Sequence, residues 1–251
     1  MAKAAVNETW IRRFSDDDRS LPFVCFPHAG GSASYFRPLS RALQGRLDVM
    51  AVQYPGRQDR RQEPCLTTIT ELAEESYRAL EPLFRHPLAL FGHSMGAVIA
   101  FEVARRMKTR LNVDPVALFL SGRRAPSVHR EGRVHLLDDR DLAGHLRETS
   151  GTDARILEDP EVLKMILPPL RSDYRAIETY QYEAGPELDC PMVTLVGQQD
   201  ETAGVEDVAA WQDQSRGPFF LEQFHGGHFY LADHMDAVAD LVSQRVLVGP
   251  G

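Results

Sequence analysis

The chain has 251 residues, 43% of them hydrophobic and 25% charged, the balance of an ordinary soluble globular protein. A formal net charge of −8 sets bulk electrostatics against nucleic acid and anionic membrane surfaces, and no run approaches the roughly 18 apolar residues of a membrane span. Cys25, Cys65 and Cys190 lie far apart with no C-x-x-C pair, which argues against a zinc site or a disulfide framework and suits a reducing cytoplasm.

The N-terminal MAKAAVNETW lacks the apolar h-region of a secretory signal. LPFVCFPHAG (21–30) is the first of six short apolar runs that end in turn residues. The others are LDVMAVQYPG (47–56), HPLALFGHS (86–94), DPVALFLSG (114–122), CPMVTLVG (190–197) and PFFLEQFHG (218–226). Continuous rather than alternating apolar character predicts parallel strands covered on both faces. Helical segments lie between them. SASYFRPLSRALQG (32–45) ends on a glycine suited to a position just past a helix. In 67–84, Ile69, Leu72, Ala73, Ser76, Leu80 and Leu83 share one stripe, and Thr68 with Glu71 forms a capping box. GAVIAFEVARRMK follows Ser94, VEDVAAWQDQS (205–215) follows the fifth run, and FYLADHMDAVADLVSQRVL closes the chain. This alternation predicts an α/β fold with a mostly parallel, doubly wound sheet.

One interval breaks the pattern. Between Arg123 and Asp189 no strand is evident, while HLLDDRDLAGHLRET, PEVLKMILPPL and SDYRAIETYQY have helical period. The expectation is a core formed by residues 1–122 and 190–251, with a helical lid inserted at 123–189 over the ligand-binding edge of the sheet.

The chemistry centres on Gly92-His93-Ser94-Met95-Gly96. A plain helix cap at Ser94 would satisfy this pentapeptide. Its position after a buried strand and before a small-residue helix, however, is that of a nucleophile elbow, in which flanking glycines admit a strained serine. A serine needs a base to take its proton and an acid to orient that base, in the chain order Ser, Asp or Glu, His. Asp200 and His228 stand in that order, each just past a predicted strand; Glu201 and His225 are their competitors. His93 is expected to pack beside the elbow, and Asp159 to cap a helix or face solvent. The amide of Met95 and an amide of the glycine-rich loop after the first strand, that of Ala29, are the expected oxyanion donors. His28 is either a hydrogen-bonding organiser of that loop or a plain, partly buried histidine.

The motifs FPHAGGSASYF, VQYPGRQDR, FGHSMGA, LPPLRSDYRAIETYQY and GGHFYL occur in this order and span nearly the whole chain. In this combination the sequence resembles the discrete, type II thioesterases that accompany polyketide synthases and nonribosomal peptide synthetases. The resemblance implies an α/β-hydrolase fold with Ser94 as nucleophile, His228 as base and Asp200 as orienting acid. It further implies removal of stalled or wrong acyl groups from the phosphopantetheine arm of an acyl or peptidyl carrier protein, with no cofactor and no metal. The free-standing chain looks like the discrete enzyme rather than an integrated chain-releasing domain, and is expected to be monomeric.

Carrier proteins are commonly acidic, so docking on this acidic chain requires a local basic patch. Arg57, Arg60 and Arg61, and then Arg123, Arg124, Arg130 and Arg133, lie just past predicted strand ends. Arg57, Arg123 and Arg124 are the docking candidates, although solvated loops with arginines paired to lid acids fit equally. Met165, Ile166, Leu167 and Tyr174 are the lid residues expected to shape the acyl pocket. Three other readings stay open on the residues: a carboxylesterase or lipase, an acyltransferase using the same triad, and a catalytically inactive module that binds acyl carriers.

Overall fold

The computed structural model describes residues 6–14, 20–150 and 159–247. The first five residues, and residues 151–158 of the expected lid, lie outside the described residues. Seven strands form one sheet: β1 (Ile11–Arg13), β2 (Leu21–Phe26), β3 (Leu47–Val52), β4 (Ala89–His93), β5 (Ala117–Ser121), β6 (Met192–Gly197) and β7 (Phe219–Phe224). Their order is β1-β3-β2-β4-β5-β6-β7; β1 runs antiparallel to β3 and the other pairs are parallel.

Six of these strands occupy the six apolar runs. The seventh, β1, was not expected. It is three residues long and pairs Ile11 with Val52 at the sheet edge, too short to carry a periodic signal.

Helices cover both faces. On one lie α2 (Ile69–Leu80), α3 (Met95–Leu111) and α6 (Val205–Ala209); on the other lie α1 (Arg37–Ala42) and α7 (Met235–Leu247). Several boundaries are tighter than the sequence pattern implied. The segment 32–45 opens as a 3-10 turn before α1, and the segment 205–215 closes as one after α6. All residues of β3, β4, β5 and β6 are buried because neither face of these strands meets water, whereas the edge strand β7 is only partly buried. Phe23, Phe91 and Phe119 pack against one another across β2, β4 and β5 on the α1/α7 face.

At the start of α2 the Thr68 side chain accepts the Glu71 backbone N–H at 3.2 Å, and its hydroxyl donates to the Glu71 carboxylate at 2.7 Å. Half of a capping box is therefore present, with the glutamate reaching the hydroxyl as its partner. The face expected to be buried is buried, from Ile69 to Leu80.

The chain between β5 and β6 contributes α4 (Asp139–Ser150) and α5 (Pro160–Glu178) and no sheet strand among the described residues. Asp159 caps α5 by accepting the Glu161 N–H at 2.9 Å. Leu142, Ala143, Leu167 and Leu170 form a small apolar core of their own between the two helices. No helix among the described residues is long and apolar enough to cross a membrane.

The strand order reverses around β2, whose neighbours are β3 and β4. The crevice beyond the C-terminal ends of β2 and β4 is where open α/β sheets bind ligands. Thr68→Ala removes the cap far from that crevice. It is expected to cost about 1 kcal/mol, lowering the melting temperature by about 2–4 °C with kcat/KM unchanged, as calorimetry and steady-state assays would show.

Candidate active site

Ser94 follows β4 with φ 55° and ψ −118°, a backbone conformation that L residues adopt only when their surroundings compel it. Its glycine neighbours supply the compulsion. A Cβ on Gly92 would lie 2.1 Å from the Gly96 carbonyl oxygen, and one on Gly96 would lie 2.0 Å from the carbonyl oxygen of Phe26. Only glycine lets α3 start this close to the end of β2. The Ser94 N–H donates to Ser121 O at 2.8 Å, and Ser94 O accepts the Ala97 N–H at 3.0 Å. Its side chain makes no capping hydrogen bond, so the helix-cap alternative fails.

His228 follows β7, and its Nδ1 lies 2.8 Å from Asp200 Oδ2, beyond β6. That bond leaves Nε2 as the ring nitrogen available to the cavity, which His228 lines together with Ser94. Thr202, which sequence reasoning missed, organises the acid. Its backbone N–H and its hydroxyl both donate to Asp200 Oδ1, at 2.9 and 2.7 Å, and the Ala203 N–H adds a third bond at 3.2 Å. Asp-x-Thr is the local signal for such a turn. Burial, the largest single influence on Asp200, pushes its carboxyl up; the hydrogen bond and charge of His228 and the Thr202 bonds outweigh it and hold the carboxyl below its ordinary value. The competitors fall away: Glu201 is exposed, and His225 offers only its carbonyl, to His234.

His93 is fully buried beneath the site, its ring 5.1 Å from that of His228. Its Nδ1 is 2.9 Å from Ser121 Oγ, which lies 2.7 Å from the Tyr230 hydroxyl. Burial, with His228 and His28 nearby, pushes His93 well below the usual histidine value, so it is a neutral spacer beside the His228 ring.

The loop after β2 presents Ala29 to the same cavity. Gly31 N–H closes the turn on His28 O at 2.9 Å, and Gly30 has φ +74°. The Ala29 N–H has no acceptor among the described residues, and Met95, first in α3, has no helical acceptor for its own. Both amides are thus available to a developing negative charge. His28 does not organise the loop by hydrogen bonding: its Nδ1 is buried without a partner, and its ring packs edge-on against Tyr35 and Phe229. Burial, then the charges of His228 and Arg57, push it down to about 3.

The cavity holds about 490 Å³ between the sheet edge and helices α4 and α5. Ile166 and Tyr174 line it as expected, and the Tyr174 hydroxyl meets His145 Nε2 at 2.9 Å. Two expectations are overturned here. Met165 is 59% exposed and faces solvent, and Leu167 turns into the small core between α4 and α5, because a helix presents adjacent positions to different sides.

Arg57 also moves. Its side chain is 5% exposed and locked to the fully buried Asp173 by bonds of 2.6 and 2.9 Å, so it offers nothing to a docking partner. Arg60 is likewise buried, bonded to Glu63 and to Gln53 O, with its guanidinium over the Trp10 ring. Arg123, Arg124 and Arg130 do line the cavity. Burial, then the charge of Arg124, pushes Arg123 down to about 9. Arg124 donates to Thr202 O and Arg130 O, and Arg130 pairs with Asp207.

A mostly parallel sheet with a strained serine after β4, an acid after β6 and a histidine after β7 defines an α/β-hydrolase. Residues 22–246 match the thioesterase domain family, and the chain belongs to it. It is a thioester hydrolase. Among similar proteins, thioesterase PikA5 of Streptomyces venezuelae is 48% identical over 244 residues, covering 96% of this chain and 87% of that one. The type II thioesterase BorB from the borrelidin biosynthetic cluster superposes with a TM-score of 0.89 at 45% identity, covering 94% of this chain and 97% of that one. YbtT, a type II thioesterase from the yersiniabactin NRPS/PKS pathway, superposes with a TM-score of 0.85 at 30% identity over 95% and 98% of the two chains.

A carboxyl held below its ordinary value when folded stabilises the fold above the unfolded value of about 3.9, and that contribution is lost as pH falls through the folded value. The stability of the wild type should therefore fall more steeply below about pH 4 than that of Asp200→Asn, with the gap between them closing. Parallel acid limbs in chemical unfolding titrations would contradict this assignment.

Proposed function

We propose that this thioesterase clears stalled or wrong acyl groups from the phosphopantetheine arm of acyl or peptidyl carrier proteins in polyketide or nonribosomal peptide biosynthesis. The observation that carries the reading is the placement on one cavity of a strained Ser94 and of His228, whose ring is bonded to Asp200. The pathway comes from the similar proteins, named for borrelidin and yersiniabactin biosynthesis. The cytoplasm is the compartment proposed, in keeping with three free cysteines, and the enzyme acts as a monomer.

The chemistry follows from the geometry. Ser94 Oγ attacks the thioester carbonyl while His228 Nε2 takes its proton; Asp200, bonded to Nδ1, fixes the tautomer and stabilises the imidazolium. The carbonyl oxygen becomes an oxyanion held by the Ala29 and Met95 amides. Collapse breaks the C–S bond, and the imidazolium gives its proton to the departing thiolate. Water, deprotonated by His228, then attacks the acyl-enzyme, and the second tetrahedral intermediate releases the carboxylic acid and restores Ser94. The insertion carrying α4 and α5 acts as the lid, with Ile166 and Tyr174 facing the acyl chain. Arg124, at the cavity wall beside the exposed Arg130, replaces Arg57 as the contact for an acidic carrier, and Arg123 lies deeper.

Acyl groups on a carrier protein should be hydrolysed faster than matched oxygen esters, and Ser94→Ala should lower kcat by roughly five to six orders of magnitude. Preference for the oxygen ester, or substantial turnover by Ser94→Ala, would overturn the reading. Arg124→Glu should raise KM for carrier-bound substrates about tenfold, one arginine contact being worth about 1.4 kcal/mol, while sparing small acyl thioesters. Equal effects on both substrates would remove Arg124 from the docking surface.

A further inference from the structure

Three motifs separated in sequence meet at a point the catalytic groups do not occupy. Asp173 of α5 is fully buried, and its Oδ2 accepts two hydrogen bonds: from Gly30 N–H at 2.7 Å and from Arg57 Nη1 at 2.6 Å. Arg57 Nη2 reaches Asp173 Oδ1 at 2.9 Å, and its Nη1 also donates to Gly31 O at 3.0 Å. The β3 side is itself fixed. Gln53 Oε1 accepts the Ala33 N–H at 2.9 Å, and Gln53 Nε2 donates to Arg57 O at 3.3 Å. Leu170, one turn before Asp173, lies so near Gly30 that a Cβ there would come within 2.8 Å of its Cδ1.

The glycine loop is thus gripped by three hydrogen bonds around Ala29. His28 O accepts Gly31 N–H, Gly30 N–H goes to Asp173, and Gly31 O takes Arg57. The Ala29 N–H has no acceptor among the described residues and is left for the cavity. A peptide plane is rigid, so fixing the plane that carries the Gly30 N–H fixes the Ala29 carbonyl and constrains the plane before it, which carries the Ala29 N–H.

We propose that Asp173 is a positioning residue for the oxyanion hole: clamped by Arg57, it holds the Gly30 amide so that the Ala29 N–H points at the reacting carbonyl, and α5 thereby sets the donor geometry. The inference rests on the reading of Ser94 as nucleophile and Ala29 as oxyanion donor. It makes helix α5 a part of the catalytic apparatus as well as a wall of the acyl cavity.

A buried carboxylate bound to a buried guanidinium also stabilises the fold, so the test must separate the two roles. Asp173→Asn keeps a carbonyl oxygen to accept the Gly30 N–H but leaves the buried Arg57 charge unpaired. The double variant Arg57→Met with Asp173→Leu leaves no unpaired charge, and apolar replacement of a buried ion pair restores stability, but it removes every acceptor for Gly30. Melting temperature should rank wild type and double variant together above Asp173→Asn. The rate should rank differently: wild type, then Asp173→Asn, then the double variant, which loses roughly a hundredfold in kcat/KM with KM for a small acyl thioester little changed.

The probe is a trifluoromethyl ketone analogue of an acyl-pantetheine thioester. Ser94 Oγ adds to its carbonyl carbon, the C=O π pair becomes an oxyanion, and the serine proton passes to His228. Its affinity should fall in step with kcat/KM across the series, while the affinity of the corresponding thioether, which has no carbonyl, stays constant. If rate and ketone affinity instead follow melting temperature, with the double variant matching wild type, the positioning role is wrong and the pair is structural only. Substantial turnover by Ser94→Ala, run alongside, would overturn the reading of the site itself.

Discussion

The position of Ser94 at the ligand-binding edge of the sheet depends on one backbone constraint, the turn that holds it at positive φ between β4 and α3. A non-glycine residue there carries a strain of about 1–3 kcal/mol, sustained only if the surroundings over-determine it. They do so by close approach. Gly92 and Gly96 remove the side chains that would hold the start of α3 away from the end of β2, and the Ser94 amide is bonded across to Ser121 at the end of β5. The same turn makes Met95 the first residue of α3, so its amide has no acceptor within the helix. The proposed nucleophile and one proposed oxyanion donor therefore come from a single geometric requirement.

The partners arrive by topology. Parallel strands place their C-terminal ends on one edge, so Ser94 after β4 and His228 after β7, distant in sequence, face a common cavity, with Asp200 after β6 behind the His228 ring. Local chemistry then refines each. The Thr202 turn and the Ala203 amide load Asp200 with donors and keep it ionised, while the neutral, buried His93 supports the ring of His228 without adding charge. The glycine loop that carries Ala29 is held by a different device, the buried Arg57–Asp173 pair, which ties the loop after β2 to the end of β3 on one side and to α5 on the other.

Much of this was legible in the residues, for identifiable reasons. Buried parallel strands announce themselves as unbroken apolar runs, and a nucleophile elbow must carry glycines at fixed offsets. Chain order, once the strands are placed, narrows the candidates to Ser94, to Asp200 or Glu201, and to His225 or His228. Thr202 apart, whose Asp-x-Thr turn is a local signal, what escaped had no local signature. β1 is too short for a period, Met165 and Leu167 required the rotation of α5 about its own axis, and Arg57 looked like a surface arginine because its buried partner lies 116 residues away. Asp173 lay within a motif useful for recognising the family, but the motif does not show that its carboxylate reaches a loop 143 residues earlier. Long-range polar pairs are set by packing, and no periodicity encodes them.

The central claim is that the acyl group passes through Ser94. Rapid quenching of the enzyme during turnover of an acyl-carrier thioester, followed by mass spectrometry of the proteolysed chain, tests it most directly. The account predicts an acyl adduct on the peptide containing Ser94 and no adduct in Ser94→Ala. An adduct on another residue, or hydrolysis by Ser94→Ala at the wild-type rate, would contradict it.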